Sequence, residues 1–214
     1  MIVITKIYTE TPYTIQMVKS FEKQGYEVAV LKGPHKGNGE LLRELYECYK
    51  QAATGHKTFC YSDGADTYCQ KAFDAPKDKI IYSTEKALFP PLEGLQYPDK
   101  PVVNSKWKHL NGGGVCGSLE VMIEFMEKYG LTKLTNEATA QLELHYAYFE
   151  TLKDGFPFEL DFDCKIFQCI AHMEEGDFEY KDGLVHNKIT KTTPAIIHAN
   201  GITPTPKEWG FKIW

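Results

Sequence analysis

The chain has 214 residues, 43% of them hydrophobic and 25% charged, with a formal net charge of −5. That composition fits one α/β domain with a sizeable core and gives no reason to expect disorder outside the ends. The acidic balance argues against a partner held by a broad basic surface, although a local patch could still bind phosphates.

Six cysteines fall mostly within apolar segments and never form a C-x-x-C pair, which reads as buried thiols in a reducing compartment. Met1 to Tyr8 is too short for a signal-peptide apolar region, and no stretch approaches the roughly 20 apolar residues of a membrane span. A cytoplasmic location is the resulting expectation.

Ile2-Val3-Ile4 opens a first strand. Thr9-Glu10-Thr11-Pro12 then supplies capping hydroxyls and a first-turn proline for a helix with Ile15, Val18 and Phe21 inward, ended by Gly25. Tyr26 to Leu31 reads as a second strand. The loop from Lys32 to Gly39, with three glycines and two lysines, could turn backbone N–H groups and positive charge toward a diphosphate, or serve as a flexible connection. It lacks P-loop spacing. A helix over about Glu40 to Ala53 follows, with Leu41, Leu42, Leu45 and Tyr49 at helical spacing.

The apolar run Thr58 to Tyr61 delivers Asp63 and Asp66 into a loop with Gly64. Paired carboxylates at a strand end suit a hard divalent cation, and the same residues also suit a plain polar turn. Strand and helix alternate up to this point, which predicts a largely parallel sheet with ligands beyond its carboxyl ends.

Ile80 to Glu85 is another strand ending in an acid, and a Gly/Pro-rich stretch through Pro101 reads as a long surface loop. Asn111 precedes Gly112-Gly113-Gly114, which would weaken a strand and so imply close approach of a backbone or ligand, and a helix with Leu119, Met122, Ile123 and Met126 inward follows. Asn111 offers both a donor and an acceptor to a sugar hydroxyl. Asn136 is placed as the cap of a helix running to about Leu152, and Phe158 to Asp163 alternates as a half-buried strand. His198 ends the buried run Pro194 to Ile197 and precedes Asn200-Gly201, where it is either a hydrogen-bonded structural residue or a third ligand for Asp63 and Asp66.

With these blocks in order, the chain resembles the glycosyltransferase domain of the procollagen lysyl hydroxylase family, which has a glycosyltransferase type A fold with a Rossmann-like, mostly parallel sheet. The matching segments are Tyr61 to Asp66, Tyr82-Ser83-Thr84-Glu85 with Phe89-Pro90, Leu110 to Gly117, Leu160-Asp161 with Lys165 to Gln168, and Ile197 to Gly201. The domain is expected over residues 1–205, with 206–214 as a tail.

The resemblance implies Mn²⁺ (or Mg²⁺) on Asp63, Asp66 and His198, holding the diphosphate of a UDP-sugar. It also implies nucleotide-sugar contacts at Thr9, Tyr61, Gly113, Gly114, Asn200 and Gly201, with Asn111 and the glycines as a wall for the donor sugar. Asp161, Glu85 and Asn111 are the carboxylates and amide nominated to act on the reacting centre. Two positions depart from the family: Phe89 stands where it carries tryptophan, and Thr139-Ala140 where it carries aspartates before Gln-Leu. Glu137, Glu143 and Glu85 are the nearest acids that could substitute.

The activity implied is transfer of a hexose to a hydroxyl acceptor, which could be a hydroxylysine, a glycan or a hydroxymethylated DNA base. A non-catalytic, metal-dependent nucleotide-sugar-binding module is the alternative. A nucleotidyltransferase would be expected to carry a Gly-rich N-terminal loop that this chain lacks.

Overall fold

The computed structural model describes residues 1–64, 66–92, 96–97, 105–174 and 176–201, so the expected boundary at 205, the tail and Ala65 lie outside the described residues. In chain order the elements are β1 (Ile2–Ile7), α1 (Pro12–Lys23), β2 (Glu27–Lys32), α2 (Asn38–Ala52), β3 (Thr58–Ser62), β4 (Thr67–Cys69), β5 (Ile80–Glu85) and β6 (His109–Ser118). They continue as α3 (Leu119–Lys128), α4 (Ala140–Asp154), β7 (Phe158–Leu160), β8 (Phe167–Cys169), β9 (Phe178–Lys181), β10 (Leu184–Asn187) and β11 (Ile196–His198).

The central sheet has the order β2-β1-β3-β6-β5-β7. β1 runs parallel to β2 and β3, and β5 runs parallel to β7. β6 is inserted between β3 and β5 in the opposite direction, so both of its pairings are antiparallel. A second sheet, β4-β11-β8, and a hairpin of β9 and β10 complete the strands.

Side-chain alternation along the central strands divides the core. Ile2, Ile4, Phe59, Tyr61, Ile80 and Tyr82 face α2, α3 and α4, whereas Val3, Ile7, Cys60 and Cys116 face α1, Phe167 and Ile196. All six cysteines are free, and Cys60, Cys69, Cys116, Cys164 and Cys169 are buried. No described helix is long and apolar enough to cross a membrane.

Several local expectations change. α1 starts as its capping residues dictate: Thr14 N donates to Thr11 Oγ1 (3.2 Å) and Thr11 N to Thr14 Oγ1 (2.8 Å). It ends at Gly25, with Tyr26 N donating back to Phe21 O (3.3 Å). Its buried face is rotated from the apolar reading, however, carrying Thr14, Met17, Ser20 and Phe21 while Ile15 is exposed. The buried hydroxyls of Thr14 and Ser20 are satisfied by Thr11 O and Met17 O, which makes that face tolerable in the core.

α4 begins at Ala140 rather than behind Asn136. Asn136 instead accepts from Arg43 through its side chain and from Asn38 N through its carbonyl. β6 continues through its glycines, but its pairing with β5 shifts there, Tyr82 lying opposite Val115 and Ser83 opposite Asn111, and neighbouring groups occupy the directions in which glycine side chains would point. At Gly114 a β-carbon would lie 2.7 Å from the Phe167 ring, and at Gly117 it would meet the Lys79 carbonyl.

The glycines of the 32–39 loop also serve packing. β-Carbons at Gly37 and Gly39 would overlap the backbone of residues 134–136. Lys32 pairs with Glu10 (3.0 Å) and Lys36 with Glu40 (2.9 Å), so the two lysines are matched by surface acids.

Candidate functional site

Asp63 lies one residue past β3 and is tied to β6 by its N–H, which donates to Gly113 O (3.0 Å). The chain then passes so close to β1 that a β-carbon on Gly64 would overlap the Lys6 carbonyl. Thr67 Oγ1 donates to Asp63 O (2.7 Å) and closes the turn. β4 therefore begins immediately after Asp66.

β4 pairs antiparallel with β11, which puts Thr67 opposite His198, and β11 pairs parallel with β8, which puts His198 opposite Cys169. Ala199 N donates to Asp66 O (2.8 Å) and continues that pairing. Two short ladders thus bring His198 to carboxylates more than 130 residues earlier in the chain.

Asp63, Asp66 and His198 each offer a ligand atom within 4.8 Å of the others. His198 Nε2 lies 3.3 Å from Asp66 Oδ1 and 3.7 Å from Asp63 Oδ2. Tyr61 OH donates to Asp63 Oδ1 (2.8 Å), which orients that carboxylate with Oδ2 toward the cluster. Gly113 packs directly under the group: a β-carbon there would stand 2.5 Å from Asp63 Oδ2 and nearer still to the His198 ring.

Burial by itself would depress the His198 pKa, but the adjacent Asp66 carboxylate holds it well above the ordinary value. An imidazolium beside two carboxylates is the charge arrangement that a divalent cation would replace. The donor set, two carboxylate oxygens and one imidazole nitrogen, fits such an ion with positions left over for water or phosphate oxygens.

The aspartates face a cavity of about 720 Å³ whose wall includes Tyr8, Thr9, His35 and Tyr61. That is ordinary for a small-molecule site. Thr9 and Tyr61 both lie on the cavity wall, and the Tyr61 hydroxyl is spent on Asp63.

On the other flank Glu85 is buried and doubly engaged, accepting from Gln141 Nε2 (2.7 Å) and from Asn200 Nδ2 (2.8 Å). Burial raises the Glu85 carboxyl, and the Gln141 bond opposes the rise. Asn200 Oδ1 accepts from Ala171 N (3.1 Å), so its amide is engaged at both ends within the protein. Gly201 is exposed with φ 82°. Asn111 Oδ1 accepts from Gly113 N (3.0 Å), linking this flank to the cluster.

Gln141 and His145, one helical turn apart on α4, both contact Phe89 O, at 2.5 and 3.0 Å. Phe89 as a residue is 63% exposed.

Asp161 differs from the sequence expectation. Its carboxylate accepts from the N–H groups of Lys165 (3.0 Å), Ile166 (2.8 Å) and Phe167 (2.8 Å) and shapes the turn between β7 and β8. Its oxygens are committed to that turn, so its task here is structural. Gly114 likewise makes room for the Phe167 ring rather than an open wall.

Two contributors were not visible as site residues in the sequence: Gln141 and Cys169. Gln141 follows the family's Gln-Leu pair but looks like any polar helix residue. Cys169 reaches His198 Nδ1 (3.7 Å) only through cross-strand register.

A family model described as "PLOD GT domain" matches residues 59–206, more than half of the chain. No curated protein sequence matches the chain. Among solved structures, a glycosyltransferase involved in the glycosylation of the major capsid of PBCV-1 superposes with a TM-score of 0.58 at 13% identity, covering 99% of this chain and 98% of that one. The architecture is accordingly the glycosyltransferase type A fold. The chain belongs to the PLOD GT domain family of glycosyltransferase domains.

Proposed function

We propose that the chain is a metal-dependent glycosyltransferase that moves a hexose from a UDP-sugar to a hydroxyl acceptor, with Mn²⁺ as the preferred ion and Mg²⁺ as a substitute. The observation that carries this reading is the Asp63, Asp66 and His198 cluster, whose aspartates border a cavity large enough for a nucleotide. Asp63, Asp66 and His198 would hold the ion, which when bound supplies positive charge for the leaving diphosphate.

The protein's own groups do the rest. Tyr61 keeps Asp63 oriented. Gly113 leaves the room that a larger residue would fill. Thr9, on the cavity wall, is the candidate nucleotide contact. Glu85, fixed by Gln141 and Asn200, and Asn111 stand at the ends of neighbouring strands and are assigned to the sugar side. Held in place before the donor arrives, such groups reduce the reorganisation that transfer requires.

The net charge of −5 favours a side-chain or glycan hydroxyl over a DNA base as the acceptor. The start of α4 at Thr139-Ala140 supplies no acid, which supports a second reading as a nucleotide-sugar-binding module without turnover.

The deciding experiment is a thermal-shift screen with Mn²⁺ against UDP-glucose, UDP-galactose and their N-acetyl counterparts, paired with a UDP-release assay. A donor should raise the melting temperature by linkage, and EDTA should remove the shift. Binding with no UDP release on any hydroxyl acceptor tested would favour the module. Absence of both binding and release would overturn the proposal.

A further inference from the structure

We propose that Cys169 is the positioning residue of the cation site: its sulfur accepts a hydrogen bond from Nδ1–H of His198, so that when an ion displaces the Nε2 proton the Nε2 lone pair faces the space shared with Asp63 and Asp66. The inference rests on the metal-dependent reading above and concerns how this chain prepares its ligand.

A neutral imidazole carries one proton on two nitrogens, and a ligating nitrogen must be the bare one. Here the two nitrogens face different surroundings. Nε2 looks onto the carboxylates at 3.3 and 3.7 Å, whereas the partner the structure gives Nδ1 is Cys169 Sγ at 3.7 Å. On the Gly113 side, where a β-carbon would stand 3.0 Å from Nδ1, there is no side chain to compete for the proton.

The sulfur is fixed in its turn. Cys169 is opposite His198 in the β8–β11 ladder, and its carbonyl accepts from Trp107 Nε1 (2.8 Å) and Gln168 Nε2 (2.9 Å). Cys169 is 1% exposed, so its sulfur is held inside the protein beside the ring. It lies on the Nδ1 side of the ring while the carboxylates lie on the Nε2 side, so it accepts a hydrogen bond from the imidazole without joining the cation's ligands.

Histidine ligands ordinarily give their second N–H to a carboxylate, a carbonyl or water, and loss of such a partner lowers metal affinity about 10- to 100-fold. A thiol sulfur is a weaker acceptor. The effect here is accordingly placed at the low end of that range, about tenfold.

The test uses the whole chain with Cys169→Ala and Cys169→Ser. Mn²⁺ affinity is measured by electron paramagnetic resonance of the free ion. The ring nitrogen shifts of His198 are read by ¹⁵N NMR in Mg²⁺-loaded protein and assigned with His198→Gln. Wild type should bind Mn²⁺ and carry its proton on Nδ1. Cys169→Ala should bind Mn²⁺ about tenfold more weakly and show a changed nitrogen pattern. Cys169→Ser should recover much of the affinity, because its hydroxyl can accept the same proton.

A Cys169→Ala protein with wild-type affinity and unchanged nitrogen shifts overturns the assignment. So does a Cys169→Ser protein as impaired as the alanine variant. A wild-type protein that binds no Mn²⁺ overturns the metal-dependent reading itself, and the two failures are thereby distinguished.

Discussion

Gly113 and His198 are in such close contact that the imidazole occupies the space a β-carbon on Gly113 would need. The strand conformation there accepts any residue, since Gly113 is not among the glycines with positive φ. Alanine is therefore excluded by the site and not by the backbone. Gly113→Ala should push Asp63 and His198 apart, cost about 1–3 kcal/mol in stability as an overpacked residue does, and remove Mn²⁺-dependent UDP binding. Calorimetry with and without Mn²⁺, beside a urea melt, checks both parts. Full binding in the variant would mean that the three ligands tolerate displacement.

Metal-free and metal-loaded protein should respond to pH in opposite ways. The His198 pKa is raised above its ordinary value of 6.5. The stability this contributes is fully present below about pH 6.5 and is lost as pH rises through the folded value. In EDTA the melting temperature of wild type should therefore fall, relative to His198→Gln, as pH rises above neutrality. Mn²⁺ needs the neutral imidazole, so the Mn²⁺-induced rise in melting temperature should be larger at pH 8 than at pH 6. A pH-independent Mn²⁺ effect would place the ion on other groups.

Glu85 joins three parts of the chain through two bonds: β5 to α4 through Gln141, and β5 to the segment after β11 through Asn200. Glu85→Ala removes the acceptor of two amide donors at a residue 6% exposed. A loss of about 2–3 kcal/mol is expected, measurable by urea denaturation. Glu85→Gln should lose less, because one carboxamide oxygen remains to accept. Activity lost in Glu85→Gln at near-native stability would add a direct role on the sugar to the structural one.

Much of this architecture was legible from local pattern. The runs at Ile2-Val3-Ile4 and Thr58 to Tyr61 are strands because β-branched and aromatic side chains pack on both faces of the central sheet. Asp63 and Asp66 were visible because acids after a buried strand are conspicuous. What escaped depends on partners distant in sequence. Gly112 to Gly114 looked like a break in a strand; β6 runs through them with Gly114 opposite Ser62 of β3, but the pairing with β5 jumps there from Val115 to Asn111 and leaves the three glycines bulged. Phe158 to Asp163 alternates like one strand, yet β7 stops at Leu160 and the Asp161 carboxylate turns onto backbone N–H groups. Cys169 could not be singled out, since its role follows from β8 pairing with β11 and from no spacing along the chain.

Asp161 separates a structural from a catalytic assignment. Its three N–H partners hold the start of β8, and β8 holds β11 and His198. Asp161→Ala should leave those donors without their acceptor, the Phe167 N–H inside the protein, and destabilise it by about 1–3 kcal/mol. Asp161→Asn keeps one oxygen and should be milder. Both are read by denaturant melts. Asp161→Asn with native stability and no transfer activity would restore the catalytic assignment.

The loop from Lys32 to Gly39 gives the sharpest contrast between pattern and packing. Read as sequence, its lysines are the candidates for a diphosphate and its glycines for a backbone cradle. In the fold Lys32 and Lys36 are exposed and paired with Glu10 and Glu40, whereas Gly39 is buried against the carbonyls of Leu134 and Thr135. The double variant Lys32→Ala, Lys36→Ala should therefore bind UDP with Mn²⁺ within about twofold of wild type, as expected for exposed, screened charges. Gly39→Ala, which touches no proposed ligand, should cost about 1–3 kcal/mol, because its β-carbon would stand 2.5 Å from Thr135 O. Calorimetry on the first variant and a urea melt on the second reverse the roles suggested by the sequence. A large loss of UDP affinity in the lysine variant would return the diphosphate to this loop.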